Sequence, residues 1–175
     1  VGVRAQSGER QGYAHSDEIS IDSARLAAGT ARAISDQGGT NSPVALQGQG
    51  GPKDLYPLEQ SPTDVPIETK VALLDEIDRY ARGLDPCVKQ VMASVITQHK
   101  QILVASSDGT LAADIQPLVR LNVQVIAGDG NKREIGYEGM GGRYSLDRLM
   151  DPENWQRLAR EAVRVAKLNL DSVPC

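Results

Sequence analysis

Residues 119–125 read Val-Arg-Leu-Asn-Val-Gln-Val, and their pattern is the clearest strand signal in the chain. The odd-numbered positions are apolar and the even-numbered positions are polar, which predicts a β-strand with one buried and one solvated face. The sequence Gly-Asp-Gly-Asn at 128–131 follows and is typical of a tight hairpin turn. We therefore expect residues 133–138 to return as an antiparallel partner strand.

The residues that precede this strand predict further strands of the same sheet. Residues 88–97 mix aliphatic and polar side chains, and residues 101–105 form a short aliphatic run. The polar sequence His-Lys-Gln at 99–101 predicts a turn between them. The sequence Asp-Gly-Thr at 108–110 predicts a second turn.

The N-terminal residues predict a smaller group of elements. Apolar and polar residues alternate at the start of 1–15, and a glycine-bearing polar segment interrupts this range, which predicts a β-hairpin. Alanines recur at helical spacing between residues 24 and 34, and either Ser20 or Asp22 is a suitable N-cap.

Two longer amphipathic helices complete the prediction. One covers residues 67–84 with Pro66 in its first turn, and the other follows Asp151 and Pro152 with its buried stripe over 155–166. Strands that are grouped apart from helices favour an α+β fold. We predict a two-layer sandwich, an antiparallel sheet covered by helices, in one domain over residues 1–175. A Gly/Pro-rich segment at about 37–63 predicts a long surface loop.

The composition excludes several classes of protein. The chain has 175 residues, a net charge of −4 and only 3% aromatic residues, so it lacks the basic excess of a nucleic-acid-binding protein. Its apolar runs are far shorter than the roughly 20 residues that span a bilayer, and we expect no membrane partner. The two cysteines, Cys87 and Cys175, predict free thiols in a reducing compartment.

The residue types that perform catalysis are sparse. His15 and His99 are the only histidines, and neither has a second ligand at metal-binding spacing, so we predict no metal ligand and no catalytic residue in this chain. Cys87 as a nucleophile would need a base such as His99; the favoured alternative is a packed thiol.

The most unusual local sequence is Gly-Met-Gly-Gly-Arg at 139–143. Its backbone N–H groups and Arg143 could hold an anion or a peptide carboxylate, although a tight strand-to-helix bend is the favoured interpretation. Asp108 belongs to a predicted turn and could also face a ligand. The candidate substrate-binding residues are therefore Gly141, Gly142, Arg143 and Asp108.

Several stretches resemble the N-terminal domain of the TldD peptidases, and the most specific likeness is the block 108–121. The resemblance is greater to TldD than to its paralogue TldE, also called PmbA. The matching stretches run in the family's order: Val-Gly-Val-Arg-Ala at 1–5, Ser-Gly-Glu at 7–9, Gly-Tyr-Ala at 12–14, Asp-Glu-Ile-Ser at 17–20, Ile-Leu-Val-Ala at 102–105, the residues 107–114 and 117–121, Gly-Gly-Arg at 141–143, and the helix 155–170.

This resemblance implies a function. TldD and TldE form a cytoplasmic heterodimer, a zinc metallopeptidase that trims leader peptides from modified peptide antibiotics and degrades small unfolded antitoxins; an older name is modulator of DNA gyrase. Zinc is held by a His-Glu-x-x-x-His helix and a distant Cys of the C-terminal domain, and this sequence contains no such helix. The resemblance thus implies a non-catalytic part, truncated before the catalytic domain, that helps to enclose a peptide or unfolded-protein substrate and contacts a TldE/PmbA-like subunit.

Two alternatives remain open on the sequence. The chain could be a non-enzymatic protein-interaction module, in which case no metal is expected anywhere in the full-length protein. It could also be an independent enzyme that uses Cys87 or His99, for which the sequence gives little support.

Overall fold

The structure, a computed structural model, describes residues 1–36, 45, 47–48 and 55–173. The chain divides into two compact units, Val1–Ala45 and Leu46–Cys175, and each is described by itself. The division leaves the prediction of one domain over 1–175 untested.

The first unit is a β-hairpin with one helix packed against it. Its elements are β1 (Gly2–Ser7), β2 (Arg10–His15) and α1 (Ile21–Ser35). The strands are antiparallel, and Gly8 takes a φ of 60° in the turn between them. The Ser20 hydroxyl accepts a hydrogen bond of 3.2 Å from the backbone N–H of Ser23, so Ser20 rather than Asp22 caps the helix.

A glycine allows the helix and the hairpin of the first unit to approach closely. A Cβ at Gly12 would collide with the backbone carbonyl of Ala31. Ala27 and Ala31 are buried, and Ser35 is the buried polar residue of α1. The residues of α1 that are buried against the hairpin therefore have small side chains.

The second unit contains the sheet that the alternation at 119–125 predicts. Its elements are β3 (Gln47–Gly48), α2 (Ile67–Leu84), β4 (Val88–Ala105), β5 (Thr110–Asp129), β6 (Lys132–Gly142), α3 (Asp147–Met150) and α4 (Pro152–Leu170). The central strand β5 pairs antiparallel with β4 and with β6, and its first residues pair in parallel with β3. Asp129 pairs with Lys132, and Gly130 has a φ of 54°, which confirms the predicted hairpin turn.

Helices α2 and α4 cover one face of this sheet, with α2 against β4 and α4 against β5 and β6. Asp151 caps α4 by accepting a hydrogen bond of 2.9 Å from the Glu153 N–H, as predicted. The α+β, two-layer prediction is thereby confirmed. The buried residues of the unit form one cluster: Leu73, Ile77, Ala81, Val88, Val119, Leu121, Val123, Val125, Ala127, Leu146, Leu149, Trp155, Leu158, Ala159, Ala162, Val163 and Ala166.

None of the helices in the described ranges is at once long and apolar enough to cross a membrane.

Three local predictions need correction or restriction. The predicted turn at 99–101 is wrong, because β4 continues through it and His99 pairs with Pro117 of β5. The favoured strand-to-helix bend at 139–143 is confirmed only at its end, because β6 continues to Gly142 and the chain bends from Arg143 before α3 begins at Asp147. Of the loop predicted at 37–63, a large part lies outside the described residues, and Gln47–Gly48 form the short strand β3.

Candidate functional site

Asp108 lies at the tip of the β4–β5 hairpin and shapes its turn. Its carboxylate accepts a hydrogen bond of 2.8 Å from the Thr110 backbone N–H, and Gly109 takes a φ of 93°. Hydrogen bonds from the side chain and then the backbone of Thr110 lower the pKa of the Asp108 carboxyl. The predicted turn is confirmed, and the turn itself accounts for the hydrogen bonds of Asp108.

Gly141 and Gly142 end β6 in register with β5. Gly141 pairs with Arg120 and Gly142 with Val119, and neither glycine has a positive φ. A ring of convergent N–H groups for an anion requires alternating or turn-like backbone conformations. The two glycines therefore do not form the anion-binding loop that the sequence analysis considered.

Arg143 follows directly and lines a cleft of about 410 Å³. Its guanidinium lies 5.2 Å from the centre of the Tyr56 ring, a cation–π contact. The carboxylates of Glu59 and Asp147 line the same cleft, and Asp147 accepts a hydrogen bond of 3.1 Å from the Ser145 hydroxyl. The cleft is large enough for one or two side chains of a bound peptide.

These candidate residues do not form one site. Thr110 begins β5 beside Asp108, whereas Val119 pairs with Gly142. Nine residues of extended strand separate the two positions, a path of about 30 Å. Asp108 and the segment 141–143 consequently lie in different parts of the second unit, and their assignment to substrate binding stays a prediction.

The structure does not support a thiol–imidazole pair. Cys87 precedes β4 while His99 lies far along the same strand, so about 40 Å of extended chain separates them. Burial first, and then the hydrogen bond and charge of Asp85, raise the pKa of the Cys87 thiol. A raised pKa disfavours the thiolate that nucleophilic catalysis needs.

The described residues also offer no place for a metal ion. No group of three or more His, Cys, Asp or Glu side chains within them could hold one. The described residues therefore do not fit the zinc that the TldD resemblance implies.

A hydrogen-bonded cluster that was not predicted from the sequence lies on the sheet face opposite the helices. Asn122 Oδ1 accepts hydrogen bonds of 2.7 Å from both Arg120 Nε and the Tyr137 hydroxyl, and Arg120 Nη2 donates to that hydroxyl at 3.0 Å. Asn122 Nδ2 donates to the Ser94 hydroxyl at 3.2 Å. We call Ser94, Arg120, Asn122 and Tyr137 the outer-face cluster. The available signal was the position of Arg120 and Asn122 on the polar side of the alternating strand.

Comparison with known proteins shows which family has this architecture. Residues 60–170, which include the whole α2–β4–β5–β6–α4 assembly, match the family described as PmbA/TldA metallopeptidase central domain. The chain belongs to the PmbA/TldD family. The predicted resemblance to TldD-type peptidases is thus confirmed, and residues 60–170 match the central domain of the family where the sequence analysis named the N-terminal domain.

Curated relatives extend the match to nearly the whole chain. A protein of Haemophilus influenzae named Metalloprotease TldD homolog is 38% identical over 99% of this chain. Two proteins with the same name from Buchnera aphidicola, of Schizaphis graminum and of Acyrthosiphon pisum, are 38% and 36% identical over 98% of the chain. The chain spans 37% of the length of each of these relatives.

Proposed function

We propose that this chain is a non-catalytic part of a TldD-type zinc metallopeptidase that cleaves peptides and small unfolded proteins in the cytoplasm. One observation carries the proposal: the chain is similar over 99% of its length to a protein named metalloprotease, yet its described residues contain no group that could hold a metal. Zinc and the reacting groups then belong to other parts of the full-length protein. This chain encloses the substrate and contacts a TldE/PmbA-like subunit.

The outer edge of β4 is the element best suited to hold a peptide. Among the described residues β4 pairs with β5 only, so one edge of an 18-residue strand is without a described partner. Proteins usually protect such an edge with prolines or many charges, but β4 has no proline and only Lys89 and Lys100 as charged residues. A peptide that adds as a further strand is bound through its backbone, which tolerates many sequences.

The metal assignment can be tested on the full-length protein and on the 175-residue chain. We expect the full-length protein, with its partner subunit, to contain zinc, to cleave an unstructured peptide, and to lose cleavage when a chelator removes the metal. The chain alone should bind no stoichiometric zinc and show no cleavage. A full-length protein without metal or cleavage would contradict the proposal and favour the protein-interaction module.

Strand addition at β4 can be tested with proline. Of two neighbouring residues in an antiparallel pair, one N–H points to the partner strand and the other away from it. Lys100 and Gln101 are both exposed, so Lys100→Pro and Gln101→Pro each remove one backbone donor with little loss of side-chain packing. The proline variant that removes the N–H pointing away from β5 should keep its fold and lose peptide cleavage. Lys100→Ala and Gln101→Ala should both keep peptide cleavage. Unchanged cleavage in the folded proline variant would exclude this edge.

A further inference from the structure

The geometry of the outer-face cluster depends on a glycine of β6. Gly139 pairs with Asn122. A Cβ at Gly139 would lie 2.9 Å from the Asn122 Oδ1 and 3.2 Å from the Tyr137 hydroxyl. The missing side chain therefore leaves the space across which the Tyr137 phenol reaches Asn122.

A second glycine continues this bare strip of strand. Gly141 pairs with Arg120, and a Cβ there would lie 2.6 Å from the Val119 carbonyl oxygen and 3.1 Å from the Arg120 Cβ. Neither Gly139 nor Gly141 has a positive φ, so a turn does not explain them. Glycine inside a strand weakens it and often marks a place where another backbone or a ligand approaches closely. At both glycines a Cβ would meet an atom of β5 at less than 3.0 Å, so the close approach that they permit is that of β5 itself.

The guanidinium of Arg120 is held in place without a counter-charge. Its Nε and Nη2 donate to Asn122 and Tyr137, which fixes the plane of the group. In the parts of the chain that the structure describes, the ion pairs join other residues and Arg120 Nη1 has no acceptor. A planar guanidinium with free donors matches a carboxylate, which it can bind through two parallel hydrogen bonds.

Apolar side chains lie beside Arg120 on this face, together with polar ones such as Gln98 and Gln124. Four exposed apolar side chains flank the cluster and keep between 37% and 51% of their surface accessible: Met92, Ile96, Leu118 and Ile135. Arg and Tyr among apolar side chains are typical of the central residues of protein–protein interfaces. A net charge of −4 and the 3% aromatic content do not favour a nucleic acid as the partner.

We propose that this face binds a polypeptide that presents an Asp or Glu side chain between apolar side chains. The carboxylate binds Arg120, and the flanking apolar side chains of the partner cover Met92 and Ile96 on one side and Ile135 on the other. The site is formed by the sheet face and is separate from the β4 edge. It goes beyond the proposed proteolytic function and does not depend on it.

The test measures binding of the peptide fluorescein-Leu-Val-Glu-Val-Leu-amide, labelled at its N-terminal amine, to the full-length protein by fluorescence anisotropy in the presence of a chelator. Matched peptides carry Gln or phosphoserine in place of Glu. We expect the Glu peptide to bind at least about tenfold more tightly than the Gln peptide, since a charge-assisted hydrogen bond is lost. Equal binding of both peptides, no measurable binding of the Glu peptide, or preference for phosphoserine would each overturn the proposal.

Variants assign the binding to this face. Arg120→Gln should weaken the Glu peptide about tenfold and leave the Gln peptide unchanged. Tyr137→Phe keeps the ring and removes two hydrogen bonds, so it should weaken binding by a smaller factor. Arg157→Gln, at an exposed arginine of α4, is the matched control and should bind as the unaltered protein does. An equal loss of peptide affinity in Arg120→Gln and Arg157→Gln would overturn the proposal. It would also be overturned if the peptide fails to bind and the protein instead self-associates through this face, with Arg120→Gln abolishing the self-association.

Discussion

In both units of the chain a helix packs on antiparallel strands at a glycine of the strand, yet the buried side chains around the two glycines differ greatly in size. In the first unit Gly12 faces the carbonyl of Ala31, and in the second Gly136 faces the carbonyl of Ala162. Around Gly136 the sheet and two helices enclose a continuous core. Around Gly12 the buried side chains of α1 are Ala27, Ala31 and Ser35.

The first unit also exposes large apolar side chains. Leu26 and Ile34 of α1 are 74% and 56% accessible, and Ile19 and Ile21 are 90% and 70% accessible. A close approach through glycine is therefore not sufficient for stability; large side chains must be buried around it. We infer that residues 46–175 carry most of the stability and that the first unit opens more readily.

The largest expected effect comes from truncating a core leucine. Leu158 of α4 is fully buried, so Leu158→Ala should lower the free energy of unfolding by about 2–5 kcal/mol. Leu26→Ala removes the same atoms from an exposed position of α1 and should change the free energy of unfolding by less than about 0.5 kcal/mol. Urea denaturation of both variants measures the contrast. Similar losses in the two would contradict the comparison.

Gly136→Ala should be the next most damaging change. The new Cβ would collide with the backbone of Ala162 and lie near the Ala166 N–H, so α4 must shift from the sheet at a cost of about 1–3 kcal/mol. Gly83→Ala in α2 is the control, since its Cβ meets nothing within 4 Å. Thermal unfolding should show a lower midpoint for Gly136→Ala alone. A midpoint equal to that of Gly83→Ala would show that the close contact does not matter.

A substitution in the first unit should have the opposite sign. Gly29 is inside α1, and a Cβ there meets nothing within 4 Å. Alanine lowers the backbone entropy of the unfolded chain, so Gly29→Ala should stabilise the first unit by about 0.5–1 kcal/mol. The expected readout is slower amide exchange in α1 without a change in the rest of the chain. Faster exchange in α1 would contradict the prediction.

The smallest effect concerns an ion pair of the second unit. Asp85 accepts a hydrogen bond from Lys167 and a second of 2.9 Å from the Cys87 N–H, and in this order they lower the pKa of the Asp85 carboxyl. A carboxyl whose pKa is lower in the folded state stabilises the fold above its unfolded pKa of about 4 and loses this contribution as the pH falls below it. Asp85→Asn should therefore flatten the decrease in stability below about pH 4. Asp75→Asn, at an exposed site of α2, is the control and should leave that decrease as it is.

The sequence predicted the elements whose signals are local. Alternation at 119–125, the turn at 128–131, the Ser20 cap and the Asp151 cap depend on near neighbours in the chain, and the structure confirms each of them. The predicted turn at 99–101 failed because pairing with β5 extends a polar segment into a long strand, and tertiary context overrides propensity.

The candidate site was less predictable for a related reason. The glycines at 139 and 141 suggest a bend by their conformational freedom, whereas their role depends on Asn122 and Arg120 of the neighbouring strand. Only the register of β5 and β6 places these residues together. The signal available in the sequence was that Gly139 and Gly141 are two residues apart, as are Arg120 and Asn122 on the strand predicted before them.

Residue-resolved hydrogen exchange of the 175-residue chain tests the central contrast most directly. We expect amides of β5, β6 and α4 to exchange only through global unfolding, while amides of β1, β2 and α1 exchange at least about a hundredfold faster through local opening. Equal protection of both groups would contradict this expectation, because the two units would then unfold together.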